Sequence, residues 1–81
     1  MRKEVFKIVS QIMNVPIDRI IDDSSPQTIA NWDSLKHMNL ILALEEKFAV
    51  AFSDDEIIDM LSINKIIKIL SKKQPKGNTM A

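Results

Sequence analysis

Residues 31–48 read NWDSLKHMNLILALEEKF, and this stretch decides the fold. From Ser34 to Phe48 it is rich in Leu, Met, Ala, Glu and Lys, which lose little side-chain freedom in a helix. Leu35, Met38, Ile41 or Leu42, Leu44 or Glu45, and Phe48 mark successive turns, so the spacing predicts a helix over residues 34–48. Asp33 and Ser34 stand at its start, where short oxygen-bearing side chains satisfy the N–H groups that a first turn leaves unpaired.

Upstream, residues 16–33 mix Asp22, Asp23, Ser24, Ser25 and Pro26 with isolated apolar residues at Ile17, Ile20, Ile21 and Ile29. Neither a helical nor a strand period holds there. The stretch reads as a long ordered loop, pinned to the core by its spaced isoleucines. Before it, Val5, Ile8, Val9, Ile12 and Met13 recur at three- and four-residue spacing and predict a helix over about residues 2–14. That helix should stop ahead of Pro16, because the residue before a proline is pushed out of the α region.

Downstream, residues 49–52 form a short apolar connector. Ser53 followed three residues later by Glu56 matches a capping box and opens a short helix near residues 54–60. Ser62 restarts the chain, and Ile63, Ile66, Ile67 and Leu70 carry a last helix to about residue 72. The sequence holds one glycine, no two-residue hairpin signal and no sustained alternation, which opposes a sheet. The fold class expected is all-α: a four-helix up-and-down bundle of three main helices and one short one, with a long first loop. Residues 1–73 make one domain, and residues 74–81, with Pro75 and Gly77, are expected to form a flexible C-terminal tail.

At 81 residues, with 46% hydrophobic and 27% charged residues, the chain suits one soluble domain. A domain of this size buries only about 60% of its unfolded surface, so a deep catalytic cleft would compete with the core, and function should sit on the surface. With no cysteine there is no disulfide, thiolate metal site or thiol nucleophile, and His37 cannot build a metal site alone. Eleven basic residues balance eleven acidic ones, which leaves no strong footprint for nucleic acid. The charges are still uneven. Asp54, Asp55, Glu56 and Asp59 are acidic, whereas Lys65, Lys68, Lys72, Lys73 and Lys76 make the end of the chain basic. The start, MRKEVFKIVS, lacks a signal-type apolar core, and no apolar run approaches bilayer length. A cytoplasmic protein that does not engage a membrane is expected.

The chemically informative point is Asp33-Ser34-Leu35, at the junction of a long loop and an amphipathic helix. A serine there is exposed, and a phosphodiester on it would lie at the positive end of the helix macrodipole. Taken alone, the triplet reads first as a helix cap, because caps strongly prefer these residues. His37 lies one turn past Ser34 but lacks an orienting third group, so no Ser-His catalytic pair is expected and His37 is read as a surface contact.

From about Met13 to Leu70, the order helix, long loop, NWDSLKHMNLILALEEKF, AVAFSDDEI, short helix and SINKIIKIL resembles the acyl carrier protein family. The resemblance implies that a phosphopantetheinyl transferase, with coenzyme A as donor, attaches a 4'-phosphopantetheine arm to Ser34. An acyl or aminoacyl cargo would then ride on the arm's thiol as a thioester, so the protein would be no enzyme but a tethered substrate, and a monomer is expected because a carrier must move between partners. Its partners would be that transferase and the enzymes that load and use the cargo, in fatty acid, polyketide or a related specialised pathway. The resemblance also implies a docking surface at Asp33, Leu35, Lys36, Met38, Asn39, Glu45 and Glu46. Lys36, Asn39 and the neutral net charge depart from the acidity usual in fatty-acid carriers, which points to different partners. For cargo lining it suggests Met38, Leu42, Phe52, Met60, Leu61 and Ile63, all of which also read as plain core packing. Trp32 would either stack on the arm or a partner, or anchor the long loop. The alternatives are a peptidyl carrier of a nonribosomal peptide pathway, an unmodified helical adaptor and, less supported by the charges, a helix-turn-helix DNA binder.

Overall fold

Among the residues described by this computed structural model, 1–73, the chain forms four α-helices and no strand. They are α1 (Arg2–Met13), α2 (Ser34–Phe48), α3 (Asp54–Asp59) and α4 (Ile63–Lys72). The long connection between α1 and α2 holds a single 3-10 turn at Ile17–Arg19. The expected tail at 74–81 lies outside the described residues.

Helix α1 buries Val5, Val9 and Met13, a stripe at four-residue spacing. It ends earlier than the proline requires. Asn14 takes left-handed geometry (φ 57°) and donates its N–H to the Ser10 carbonyl, and Val15 N–H donates to the same oxygen at 3.1 Å. Asparagine tolerates that conformation better than most residues, so the turn closes there.

In α2 the core side consists of Leu40, Ile41 and Leu44, while Leu35, Met38 and Leu42 face solvent. The Asn31 side-chain amide donates to the Met13 carbonyl at 2.8 Å, which sets the entry to α2 beside the end of α1. The start of α2 thus lies beside the end of α1, and Lys47 near the end of α2 adds to the N-terminal ammonium's lowering of Glu4 at the start of α1, as expected of an antiparallel pair. Ala49 closes α2 in left-handed geometry (φ 54°), and Val50 and Phe52 then turn inward.

Helix α3 opens with the expected capping box: Glu56 N–H donates to Ser53 Oγ at 3.2 Å, and Ser53 N–H donates to Glu56 Oε1 at 2.8 Å. Ser62 caps α4 through Lys65 N–H, and Ile63, Ile66 and Leu70 complete the core. Met60, between α3 and α4, is fully buried among them.

The long loop is held in two ways. Ile20, Ile29 and Trp32 are buried, whereas Ile17 and Ile21 are exposed, which corrects the expectation that all four loop isoleucines act as pins. Polar ties do the rest. Buried Ser24 accepts Ile21 N–H on its hydroxyl at 2.9 Å, and its carbonyl accepts Ile63 N–H at 3.1 Å. The Asp22 carbonyl accepts Asn64 N–H at 3.0 Å. Two N–H groups that the first turn of α4 leaves without helical partners are thus satisfied by the loop.

Candidate functional site

Ser34 is the first residue of α2 and is exposed. Extended Asp33 precedes it, and the Asp33 carboxylate accepts Lys36 N–H at 2.8 Å. The helix start is therefore fixed by the neighbour of Ser34, and the serine hydroxyl is not needed as the cap. Beside it opens a groove of about 410 Å³ lined by Pro26, Trp32, Asp33, Ser34, His37 and Leu61. The long loop, the first turn of α2 and the junction between α3 and α4 each supply a wall.

Trp32 is a buried anchor of the loop, with 3% of its surface exposed, and its ring stacks on His37 with centroids 6.1 Å apart. Its indole N–H donates to His37 Nδ1 at 3.0 Å. His37 Nε2 lies 2.8 Å from the Ile57 carbonyl, which can only accept. Both contacts are satisfied together by the neutral tautomer with its proton on Nε2. His37 is therefore an internal tie between loop, α2 and α3, which corrects its reading as a surface contact. The half-buried ring has both nitrogens engaged away from Ser34, so no Ser-His pair forms.

Of the residues expected to dock partners, Asp33, Leu35, Met38, Asn39 and Glu46 are exposed, and Lys36 and Glu45 are half-buried. Leu35 is 69% and Leu42 59% exposed, large values for leucines in a helix. The Glu45 carboxylate accepts Phe52 N–H at 2.9 Å and so holds the α2–α3 connector. The six lining candidates separate into two sets: Phe52, Met60 and Ile63 are in the core, and Met38, Leu42 and Leu61 are on the surface. Leu61 alone of them borders the groove at Ser34.

Away from Ser34, the Lys73 ammonium bonded at 2.9 Å holds the Glu56 carboxyl below the ordinary carboxylate range, and Ser53 N–H adds to the effect. The N-terminal ammonium lowers Glu4 in the same way. Among the described residues no group of His, Asp or Glu side chains could hold a metal ion, and no helix is long and apolar enough to cross a membrane.

The structure is a small helical bundle that presents a serine at the exposed start of its central helix, the arrangement expected of a carrier-type domain. No family model matches the chain. Among individual proteins, it is 31% identical over 74 residues to the acyl carrier protein of Buchnera aphidicola subsp. Schizaphis graminum, covering 91% of this chain and 94% of that protein. The acyl carrier protein of Buchnera aphidicola subsp. Acyrthosiphon pisum is also 31% identical over 74 residues, with 91% and 92% covered. That of Buchnera aphidicola subsp. Baizongia pistaciae is 31% identical over 70 residues, with 86% and 90% covered. The chain belongs to the acyl carrier protein family, and it is a carrier rather than an enzyme.

Proposed function

We propose that Ser34 carries a 4'-phosphopantetheine arm and that the protein presents acyl groups, held on that arm as thioesters, to biosynthetic enzymes. The observation that carries this reading is the exposed Ser34 at the first position of α2, with the cap supplied by Asp33 and the hydroxyl left over. In the loading step a phosphopantetheinyl transferase would join Ser34 Oγ to phosphorus and break the pyrophosphate of coenzyme A. The adenosine bisphosphate half leaves, and the hydroxyl proton passes to the transferase. The bound arm supplies a thiol, which a chain without cysteine lacks. The phosphodiester charge would sit against the N-terminal turn of α2, an interaction typically contributing about 0.3–1 kcal/mol at an exposed site.

On this reading, partners meet the exposed face of α2 at Asp33, Leu35, Lys36, Met38, Asn39 and Glu46, with Glu45 behind them in the connector. The mixed charge of that face favours partners other than those of strongly acidic carriers. The decisive experiment is intact-protein mass after incubation with coenzyme A and a broad-specificity phosphopantetheinyl transferase. A gain of one phosphopantetheine in the wild type, absent in Ser34→Ala, is expected; no gain in the wild type with several transferases would overturn the reading.

A further inference from the structure

Three segments meet at Ser34, and one imidazole ties them together. His37 takes the indole N–H of Trp32 from the loop and gives its own N–H to the Ile57 carbonyl of α3. Both His37 and Trp32 line the groove next to Ser34. Helix α3 has only six residues and none of them is fully buried, while Ile58 on it is 67% exposed. Of the residues of α3 only Ile57 packs against the core, and only partly, so the position of the helix depends also on a few ties. These are the Glu45–Phe52 bond before it, the Lys73–Glu56 pair at its start, Met60 after it, and the His37 bond in its middle.

We propose that His37 is a positioning residue for the carried group: by clipping Trp32 and α3 to the first turn of α2, it fixes the groove into which a group on Ser34 opens. It thereby sets how far the arm and its cargo are shielded from solution. The second half of this statement rests on the Ser34 reading above; the clip itself does not. Losing the imidazole would leave the buried Trp32 N–H without its partner and leave the Ile57 carbonyl with only its long bond from Met60 N–H at 3.3 Å. One bond of ordinary strength corresponds to roughly a threefold to tenfold change in an opening equilibrium.

The test begins on the apo protein. Nitrogen NMR of His37 should show the proton on Nε2, and a proton on Nδ1 instead would refute the clip. In His37→Ala, solvent exchange at the Trp32 indole and at the Met60 and Leu61 amides should rise roughly threefold to tenfold, with the Val9 and Leu44 amides unchanged. A uniform rise at all of these sites would mean general destabilisation and overturn the proposal. On the loaded protein the arm's thiol is the only one, so its rate with a small aromatic disulfide reports shielding directly. Trp32→Phe, which keeps the ring and removes the donor, should change that rate in the same direction as His37→Ala, and the double variant should add little. Independent, additive effects, or a rate equal to wild type, would refute the shielding role. Should His37→Ala fail to fold, His37→Gln, which can keep one of the two bonds, serves in its place with a smaller change expected. If Ser34 takes no arm at all, the carrier reading fails, while the tautomer and exchange results still decide the clip.

Discussion

Asp33 makes two separable contributions at the start of α2, and substituting it distinguishes them. Its carboxylate accepts Lys36 N–H at 2.8 Å, and it adds a negative charge at the positive end of a 15-residue helix. Replacing a capping Asp by Ala costs typically about 1 kcal/mol, within a range of about 0.5–2. Asparagine caps as well as aspartate, so Asp33→Asn should lose only the charge–dipole part, about 0.3–1 kcal/mol at an exposed site. For a domain of this length about 1 kcal/mol corresponds to roughly 4–8 °C in melting temperature. Calorimetry on the apo protein should thus rank wild type above Asp33→Asn and Asp33→Ala lowest. If Ser34 carries a phosphodiester as proposed, the Asp33 charge would lie beside a like charge, and the gap between wild type and Asp33→Asn should narrow or invert. Equal losses in Asp33→Asn and Asp33→Ala would refute the hydrogen-bonded cap, and no loss in Asp33→Ala would refute any role for it in starting α2.

Met60→Ala empties a fully buried site between α3 and α4 and should cost about 2–5 kcal/mol, read as the shift in a urea unfolding midpoint. Glu56 is held below the ordinary carboxylate range by Lys73 and Ser53, so its stabilising effect is present above its unfolded-state pKa and is lost as pH falls through its folded-state value. Melting temperature should fall on acidification, less steeply in Glu56→Gln, and equal slopes in the two proteins would argue against the Lys73 tie. Leu35→Asp and Leu42→Asp remove exposed apolar surface and should leave melting within about 0.5 kcal/mol of wild type while slowing transfer of the arm to Ser34, followed by mass against time.

The helices were legible because each carries its apolar residues at helical spacing; α2 and α4 run over the residues that this spacing, the cap at Asp33 and the restart at Ser62 predict. Which stripe of α2 faces inward was not legible. Leu35, Met38 and Leu42 keep helical spacing just as Leu40, Ile41 and Leu44 do, and periodicity alone does not choose between two apolar faces. The ends of α1 and α2 fall within a residue of where the spacing puts them, but how they close was not legible, since both close on left-handed residues other than glycine, Asn14 and Ala49. The role of His37 depends on Ile57, twenty positions away, and that of Ser24 on Ile63. One clue was present in the sequence: a lone tryptophan buried in a loop needs an acceptor for its N–H, and His37 lies one turn into the helix that follows.

The two-faced character of α2 bears on how this carrier would meet its partners. Leu40, Ile41 and Leu44 seat the helix on the core, and Leu35, Met38 and Leu42 point outward. Exposed apolar side chains grouped beside a reactive position are what an interaction surface requires. The charged residues around them have mixed sign, with Lys36 and Lys47 offsetting Asp33 and Glu46, and the whole chain is neutral. Long-range attraction to a basic partner is therefore weak, and encounter would rely less on steering. Selectivity would then rest on short-range fit: the shape of the leucine and methionine stripe, and the groove that Trp32 and His37 hold open next to Ser34.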